Sequence, residues 1–353
     1  MSKHEKIILG ISIGDLNGIG SEIVLKTFQD SRMLDFCTPV IFASVKLLSF
    51  FKKTYELDVD LHGIDSLDKI VHKKINVLNV WKEPINIEFG KEDPVIGSYA
   101  VKSLEAAVVA LREEAIGVLV TAPINKSNIQ SESFNFPGHT DYLNQELEGN
   151  SLMLMISDEL RVGLLTDHVA VKDVSSTITR ELIEQKINTI HKTMIQDFGI
   201  RKPKIAVLGI NPHNGDNGVI GNEDDTLLRP ALDNLRYNGK MVFGPYAADS
   251  FFGSENYKSF DVVIASYHDQ GLIPFKTLAF GSGVNYTAGL SRIRTSPDHG
   301  TAYDVAGKNE ARHDSFKEAV FSAISIYNKR KEFLSISENP LQVQRRKQPA
   351  KKN

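Results

Sequence analysis

Short apolar runs alternate with amphipathic stretches through most of this sequence. Lys6–Ile13 (KIILGISI) and Ala115–Val120 are continuous apolar runs of the length of buried strands. Between them, Ser98–Glu113 repeats apolar side chains at helical spacing and predicts an amphipathic helix. The same alternation continues to a last predicted strand, Asp261–Tyr267. An α/β fold with a mainly parallel sheet covered by helices is therefore expected, and 353 residues favour two domains.

The other predicted elements follow the same rules. The remaining strands are Pro39–Val45, Lys74–Val80, Ser151–Ile156, Leu160–Leu165 and Lys204–Ile210. The remaining helices are Ser21–Gln29, Arg180–Phe198 and Asp225–Tyr237. Ser151–Ile156 and Leu160–Leu165 are separated by three polar residues and predict a hairpin.

The charge balance gives no overall field that would recruit nucleic acid or an anionic membrane, because 41 basic residues face 44 acidic ones. The C-terminal tail is locally basic, lacks apolar neighbours and is expected to be a solvated, disordered end. Cys37 is alone, which excludes an internal disulfide and fits a reducing cytoplasm. With no leader pattern and no apolar run near ~18 residues, a soluble cytoplasmic protein is expected.

A glycine-rich turn follows the first predicted strand and precedes a helix. Gly14, Gly18 and Gly20 surround Asp15 in this turn, a position from which backbone N–H groups can hold an anion or a nucleotide. Such turns are also common as plain connections, so both readings stay open. The spacing is G-x-x-x-G-x-G and differs from the Rossmann fingerprint, which excludes a Rossmann assignment.

Three predicted strands each end close to a histidine, namely His168, His213 and His268. The carboxyl ends of parallel strands lie along one edge of an open α/β sheet, so these imidazoles can converge. Three neutral imidazoles suit a divalent metal and leave positions open for water or substrate. Such a site could make hydroxide for hydrolysis, or bind a substrate hydroxyl and favour its oxidation.

Polar residues beside glycines and turns suggest a second set of site residues. Lys276 and Arg294 add fixed positive charge suited to a phosphate or carboxylate, and Asn285 lies between them. His139 and Thr140 follow a Pro-Gly step in the segment FNFPGHTDY, which is expected to be a loop. A phosphorylated hydroxy acid together with a dinucleotide is the ligand pair that these features share.

The motifs as a set resemble the 4-hydroxythreonine-4-phosphate dehydrogenase family from about Ile8 to Ile326. They are GDLNGIGSE, TAPINK, FPGHTDYL, LLTDHV, INPHNGDNG, YHDQGLIPFK, GVNYTAGL and RTSPDHGTAYDVAG. The first and last are also similar to cofactor loops of isocitrate and isopropylmalate dehydrogenases. In the first loop Leu16-Asn17 replaces the family's Pro-Ala and Ser21 replaces Pro, which bears on cofactor affinity and leaves the glycines intact.

The resemblance implies a non-Rossmann fold of the isocitrate/isopropylmalate dehydrogenase type, with two α/β/α domains and a cleft between them. Residues 1–130 and 281–340 would form the first domain with the NAD-binding loops. Residues 131–280 would form the central domain, with the metal-binding histidines and the dimer contacts, and 341–353 would be the basic tail. The family is a homodimer in which one metal ligand comes from the neighbouring subunit.

The resemblance also implies residue roles. His139, Thr140, Lys276, Asn285 and Arg294 would bind substrate, and His168, His213 and His268 would hold one divalent metal such as Zn, Mg or Co. The predicted cofactor-binding residues are Gly14, Asp15, Gly18, Gly20, His299, Gly300, Thr301 and Asp304. The proton acceptor stays open among Lys276, Asp249 and Lys126, with Lys276 favoured as a charge clamp.

The implied reaction is NAD-dependent oxidation of 4-phosphooxy-L-threonine at C3, in pyridoxal 5'-phosphate biosynthesis. The 2-amino-3-oxo-4-phosphooxybutanoate formed would lose CO2 to give 3-amino-2-oxopropyl phosphate. Two alternatives stay open at this point. The same scaffold could oxidise another phosphorylated hydroxy acid such as a phosphotetronate, or the histidines could serve a metal-dependent phosphohydrolase.

Overall fold

The computed structural model describes residues 6–132 and 134–339, so the predicted basic tail, 341–353, lies outside the described residues. The strands are β1 Ile7–Ser12, β2 Cys37–Ala43, β3 Leu61–Ile64, β4 Ile75–Asn79, β5 Val118–Thr121, β6 Gly149–Ile156, β7 Arg161–Leu164, β8 Ile205–Leu208, β9 Val242–Tyr246, β10 Val262–Ala265, β11 Val284–Leu290 and β12 Arg294–Pro297. The helices are α1 Gly20–Gln29, α2 Met33–Phe36, α3 Val45–Thr54, α4 Pro94–Arg112, α5 His139–Glu146, α6 Val174–Thr177, α7 Arg180–Gln196, α8 Arg229–Tyr237, α9 Ala248–Gly253, α10 His268–Leu278 and α11 Asp314–Ser337.

The twelve strands form one sheet in the order β3-β4-β2-β1-β5-β12-β11-β6-β7-β10-β8-β9. Most neighbours are parallel, as the sequence predicts, and the antiparallel pairs β12–β11, β11–β6 and β6–β7 lie at the centre. The predicted hairpin is confirmed, since β6 and β7 pair directly and Ser157 N donates to Leu160 O at 2.9 Å. The parallel strands of one half therefore run opposite to those of the other half.

The strand order separates the sequence into two groups. The strands of residues 1–130, with β12, occupy one end of the sheet, and the strands of residues 131–280, with β11, occupy the other. Because the sheet continues between β12 and β11, the groups are joined by hydrogen bonds between Val284–Tyr286 and Thr295–Pro297. The division into two domains stays a prediction.

Helices α4 and α11 cover the sheet near its centre. Helix α4 packs on β1, β2 and β5 through Ala100, Leu104 and Val108, each about 1% exposed. Within the described residues, α4 is one helix with the length and composition of a membrane span, but half of that window is buried inside the fold. A buried face of this extent is what a core helix requires, and a cytoplasmic location stays a prediction.

Two of the helices that bear on the site, α10 and α11, are not predicted from the sequence. Helix α10 begins at His268, with two residues between it and the end of β10, so the residues that follow this strand lead into the first turn of a helix. Pro274 inside α10 obscured the helical pattern. Helix α11 buries Phe316, Val320 and Ala323 against β5, β11 and β12, a helical spacing that the sequence does contain.

A buried ion network joins three of these elements. Arg330 in α11 donates to both carboxylate oxygens of Asp197, at 2.8 and 3.0 Å, and Asp197 also accepts from the Tyr286 hydroxyl at 2.6 Å. Asp197 follows α7 and Tyr286 lies in β11. The network therefore ties α7 and α11 to the strand that enters the cavity described below.

Candidate active site

A cavity of about 260 Å³ lies at the centre of the sheet, where β5, β6, β11 and β12 meet α5 and α10. Most of the predicted substrate and metal residues line it, together with loops after β5 and β12. The lining residues from the predictions are Lys126, His139, Thr140, His168, His268, Lys276, Asn285, Arg294, His299 and Gly300. The structure therefore brings together residues that are up to 174 positions apart in sequence, from Lys126 to Gly300.

Arg294 is a buried cation without a carboxylate partner among the described residues. Its side chain is at the start of β12, and the residue is 2% exposed. Nε and Nη2 donate to Thr121 Oγ1 at 3.1 and 2.6 Å, and Nη1 donates to Thr287 Oγ1 at 3.1 Å. Burial lowers the pKa of Arg294 to about 9, which still leaves it charged at neutral pH. A buried charge held only by hydroxyls favours an anionic ligand.

His139 lies opposite this charge, as the first residue of α5. The predicted loop is wrong from this residue onward, because His139–Glu146 is helical and only the preceding Phe134–Gly138 is not. Nε2 of His139 is buried and has no hydrogen-bond partner. Burial, with the charges of Arg294 and Lys126, holds the pKa of His139 well below its ordinary value. A neutral imidazole with an unpaired ring nitrogen can form one hydrogen bond with a ligand.

Two further cavity residues have buried polar atoms without partners. Oδ1 of Asn285 and Nε2 of His299 accept or donate no hydrogen bond within the described part of the chain. Lys276, on α10, donates to Asp298 O at 3.2 Å and remains exposed. Unpartnered buried polar atoms are rare, so these atoms mark the places where a polar ligand would complete the hydrogen bonding.

The histidines at the strand ends are placed as predicted only in part. Strands β7, β10 and β8 are parallel neighbours, so His168, His268 and His213 do follow the same edge of the sheet. The rings of His168 and His268 lie 6.3 Å apart, centroid to centroid, and both line the cavity. His213 does not line it; the residue is exposed and stands in a turn with φ +53°. Within 6–132 and 134–339, no three His, Cys, Asp or Glu side chains form a metal-binding cluster. Two of the three predicted ligands thus line one cavity, and the metal-binding role of His168, His213 and His268 stays a prediction.

The glycine turn is buried and turns inward. Gly14 has φ +71°, and a Cβ there would lie 2.3 Å from Pro123 O; a Cβ on Gly18 would lie 2.8 Å from Thr301 O. The backbone N–H of Asp15 donates to Pro123 O at 2.9 Å, and that of Ile19 to Thr301 O at 3.0 Å. A Cβ on Gly20 would likewise meet Ile13 O at 2.6 Å. The glycines thus permit close backbone packing, and the direct contact of Gly14, Asp15, Gly18 and Gly20 with a cofactor stays a prediction.

Other predicted residues lie at different distances from the cavity. Asp249 is exposed on α9 and does not line it, whereas Lys126 and Lys276, the other two predicted proton acceptors, do. Asp304 is exposed beyond the lining loop, and Thr301 supplies the carbonyl that accepts from Ile19. His299 and Gly300 are therefore the predicted cofactor residues that reach the cavity itself.

The sequence reading also missed residues that shape the site. Thr121 and Thr287 orient Arg294, while Met153 and Met155 of β6 form an apolar wall. A signal was present for Thr287, since Asn285 and Thr287 are two residues apart on one strand and point to the same face. No signal in the sequence pointed to β6, because its side chains reach the cavity only through pairing with β11.

Comparisons with known proteins agree with one another. Residues 35–323 match the family described as "Pyridoxal phosphate biosynthetic protein PdxA". The chain is 46% identical to a 4-hydroxythreonine-4-phosphate dehydrogenase of Bacteroides thetaiotaomicron, over 97% of this chain and 94% of that protein. It is 36% identical to a D-threonate 4-phosphate dehydrogenase of Cupriavidus necator, over 92% of this chain and 98% of the other. The crystal structure of a 4-hydroxythreonine-4-phosphate dehydrogenase from Klebsiella pneumoniae superposes with a TM-score of 0.80 at 30% identity, covering 92% of this chain and 99% of that one.

Proposed function

The chain belongs to the PdxA family of pyridoxal phosphate biosynthetic proteins, and from this premise we propose that it is a 4-hydroxythreonine-4-phosphate dehydrogenase. In this reaction C3 of 4-phosphooxy-L-threonine transfers its hydride to NAD, and the C3 hydroxyl loses its proton to the protein or solvent, which leaves a ketone at C3. The product, 2-amino-3-oxo-4-phosphooxybutanoate, is a 3-oxo acid and loses CO2 to give 3-amino-2-oxopropyl phosphate. A relative of this name at 46% identity over 97% of the chain supports the proposal.

The single observation that carries the proposal is the buried guanidinium of Arg294. It is 2% exposed and bonded only to threonine hydroxyls, so an anionic group of the substrate is the partner that would compensate its charge. Lys276 and Lys126 add two more cationic side chains to the cavity lining. Three cations suit a substrate that carries both a phosphate and a carboxylate.

The remaining polar residues would orient the reacting carbon. Oδ1 of Asn285 and Nε2 of His139 have no partner within the described residues and could bond the substrate's amino and hydroxyl groups. Because the pKa of His139 is held low, its ring is neutral at neutral pH and could accept a hydrogen bond from the hydroxyl, while Lys276 and Lys126 are the candidate proton acceptors. Met153 and Met155 would exclude water from one side of the reacting centre.

The nicotinamide cofactor would lie beside the loop that follows β12. NAD, when bound, supplies the hydride acceptor for this reaction. His299 and Gly300 line the cavity, and the free Nε2 of His299 offers a hydrogen bond at that edge. Thr301 and Asp304 continue the same loop, and their contact with the cofactor is part of the proposal.

The described residues of one chain supply only part of the predicted set of metal ligands. Of the three predicted ligands, His168 and His268 line the cavity and His213 does not, and the described residues of one chain form no cluster of three metal-binding side chains. The family resemblance places one ligand on a neighbouring subunit, so we propose a homodimer that completes the set with His213 included. Such a metal would polarise the C3 hydroxyl.

The test is NADH formation by the purified protein with NAD and 4-phosphooxy-L-threonine, before and after chelation and with divalent metals restored. Metal-dependent NADH formation that is lost in His213→Ala supports the dehydrogenase and the role of that histidine together. Absence of NADH with every metal tested contradicts the proposal. Phosphate release without NADH would instead indicate the phosphohydrolase.

A second candidate substrate follows from one comparison. The relative from Cupriavidus necator is named for D-threonate 4-phosphate, which has a hydroxyl where 4-phosphooxy-L-threonine has the C2 amino group. The same assay with both substrates, compared as kcat/KM, decides between them. A higher kcat/KM for D-threonate 4-phosphate would leave the proposed dehydrogenase reaction in place and assign the enzyme to a different pathway.

A further inference from the structure

We propose that Asp15 is a positioning residue, whose buried carboxylate fastens the loop carrying His299 and Gly300 to the loop that follows β5. The proposal concerns how the protein builds its cavity edge and not direct contact with a ligand. Its kinetic consequence rests on the function proposed above, whereas its structural consequence does not.

The carboxylate of Asp15 collects donors from three places in the chain. The residue is 0% exposed. Oδ2 accepts from the Tyr303 hydroxyl at 2.8 Å and from Asn128 Nδ2 at 3.1 Å, and Oδ1 accepts from the backbone N–H of Asn17 at 2.9 Å. Asn128 Nδ2 also donates to the Tyr303 hydroxyl at 3.0 Å. Asp15, Asn128 and Tyr303 thus form a closed triangle of hydrogen bonds.

Backbone contacts on either side of the triangle reach the cavity. The N–H of Asp15 donates to Pro123 O, and the N–H of Ile19 donates to Thr301 O. Pro123 lines the cavity, and Thr301 directly follows Gly300, which lines it from the other loop. The close approach of Gly14 and Gly18 to these two carbonyls leaves no space for a side chain between them. The glycine turn therefore connects the loop after β5 to the loop after β12 at the edge of the cavity.

The chemistry of the triangle requires a carboxylate at residue 15 when residue 128 is an amide. Asp15 has acceptor sites for three donors, and no described Lys or Arg forms an ion pair with it. An asparagine at residue 15 would direct an NH2 group at the NH2 group of Asn128 or lose the bond to Asn17. Exchanging the two side chains reverses the direction of the bonds and satisfies all three groups again.

The kinetic experiment uses that exchange in the full-length protein. Asp15→Asn and Asn128→Asp are each expected to raise KM for NAD roughly three- to tenfold, the size of one lost buried hydrogen bond, while kcat changes less than about twofold. The double variant Asp15→Asn/Asn128→Asp is expected to return KM for NAD to within about twofold of wild type. A double variant no better than the worse single variant overturns the proposal.

Hydrogen exchange measured by mass spectrometry tests, without substrate, whether these hydrogen bonds hold the two loops together. Tyr303→Phe should speed exchange in peptides covering 15–19 and 299–304 and leave α7 unchanged. Tyr286→Phe is the matched control, since it also removes a buried phenol hydroxyl from a carboxylate, that of Asp197. This variant should leave 15–19 unchanged. Unaltered exchange at 15–19 and 299–304 in Tyr303→Phe overturns the proposal, even if the wild type proves to reduce no NAD.

Discussion

The Arg294 guanidinium donates to the Thr121 hydroxyl through both Nε and Nη2, at 3.1 and 2.6 Å. This pairing differs from that of the other buried arginine, Arg330, which shares its charge with Asp197. The charge of Arg330 is compensated inside the fold, whereas we propose that the charge of Arg294 is compensated by a bound ligand.

Arg294→Met is expected to leave the free energy of unfolding unchanged or to raise it, because the variant replaces an uncompensated buried charge with an apolar chain. Binding of the phosphorylated substrate should be lost. Arg330→Met is the control and should destabilise the protein by about 3–5 kcal/mol, since Asp197 would keep a buried charge without its partner. Urea unfolding of both variants measures this. A larger loss of stability in Arg294→Met than in Arg330→Met contradicts the assignment.

Thr121→Val should weaken the transition-state complex by about 1.5–3 kcal/mol, the usual contribution of a hydrogen bond to a charged group. The variant keeps the side-chain shape but removes the oxygen that orients Arg294. The measurement is kcat/KM for the phosphorylated substrate. Thr27→Val is a suitable control, because Thr27 is equally buried and its hydroxyl bonds only Ile23 O within α1. Equal effects of the two variants would show that Thr121 acts through stability alone.

Stability should fall as pH is lowered through about 6.5, the ordinary pKa of a histidine, in part because of His139. Burial and the charges of Arg294 and Lys126 lower its pKa in the folded state, so below pH 6.5 the unfolded chain binds a proton that the folded chain does not. This contribution is fully present above pH 6.5 and is lost at up to ~1.4 kcal/mol per pH unit below it. His139→Phe should flatten the curve of unfolding free energy against pH. Parallel curves for wild type and variant would contradict this.

Gly14→Ala should destabilise the protein by roughly 1–3 kcal/mol. Its φ of +71° disfavours a side chain, and the new Cβ would lie 2.3 Å from Pro123 O. Gly253→Ala provides the control, since nothing lies within 4 Å of a Cβ at that position and φ there is not positive. Thermal unfolding of the two variants measures the difference. A Gly14→Ala variant as stable as Gly253→Ala would mean that the glycine turn is less constrained than described.

Local patterns in the sequence were sufficient for much of the fold. The apolar runs at β1, β5, β8 and β10 identify strands, because burial on both faces requires a continuous apolar segment. Helix α10 escaped detection because its first residues serve the site and Pro274 interrupts its pattern. The substrate-binding residues are predicted from family motifs alone, and the structure gathers the five of them, His139, Thr140, Lys276, Asn285 and Arg294, around one cavity.

The sequence by itself determined where strands end and which ionisable residues stand at those ends, since both depend on neighbours along the chain. Only the tertiary structure decided that Arg294 has no carboxylate partner in 6–132 and 134–339, that His168 and His268 line the cavity without His213, and that the glycine turn packs inward. Each of these depends on groups from distant segments, and the free energy of a buried charge or hydrogen bond is set by those groups. Pairing, burial and pKa are properties of the folded arrangement, so no local pattern encodes them.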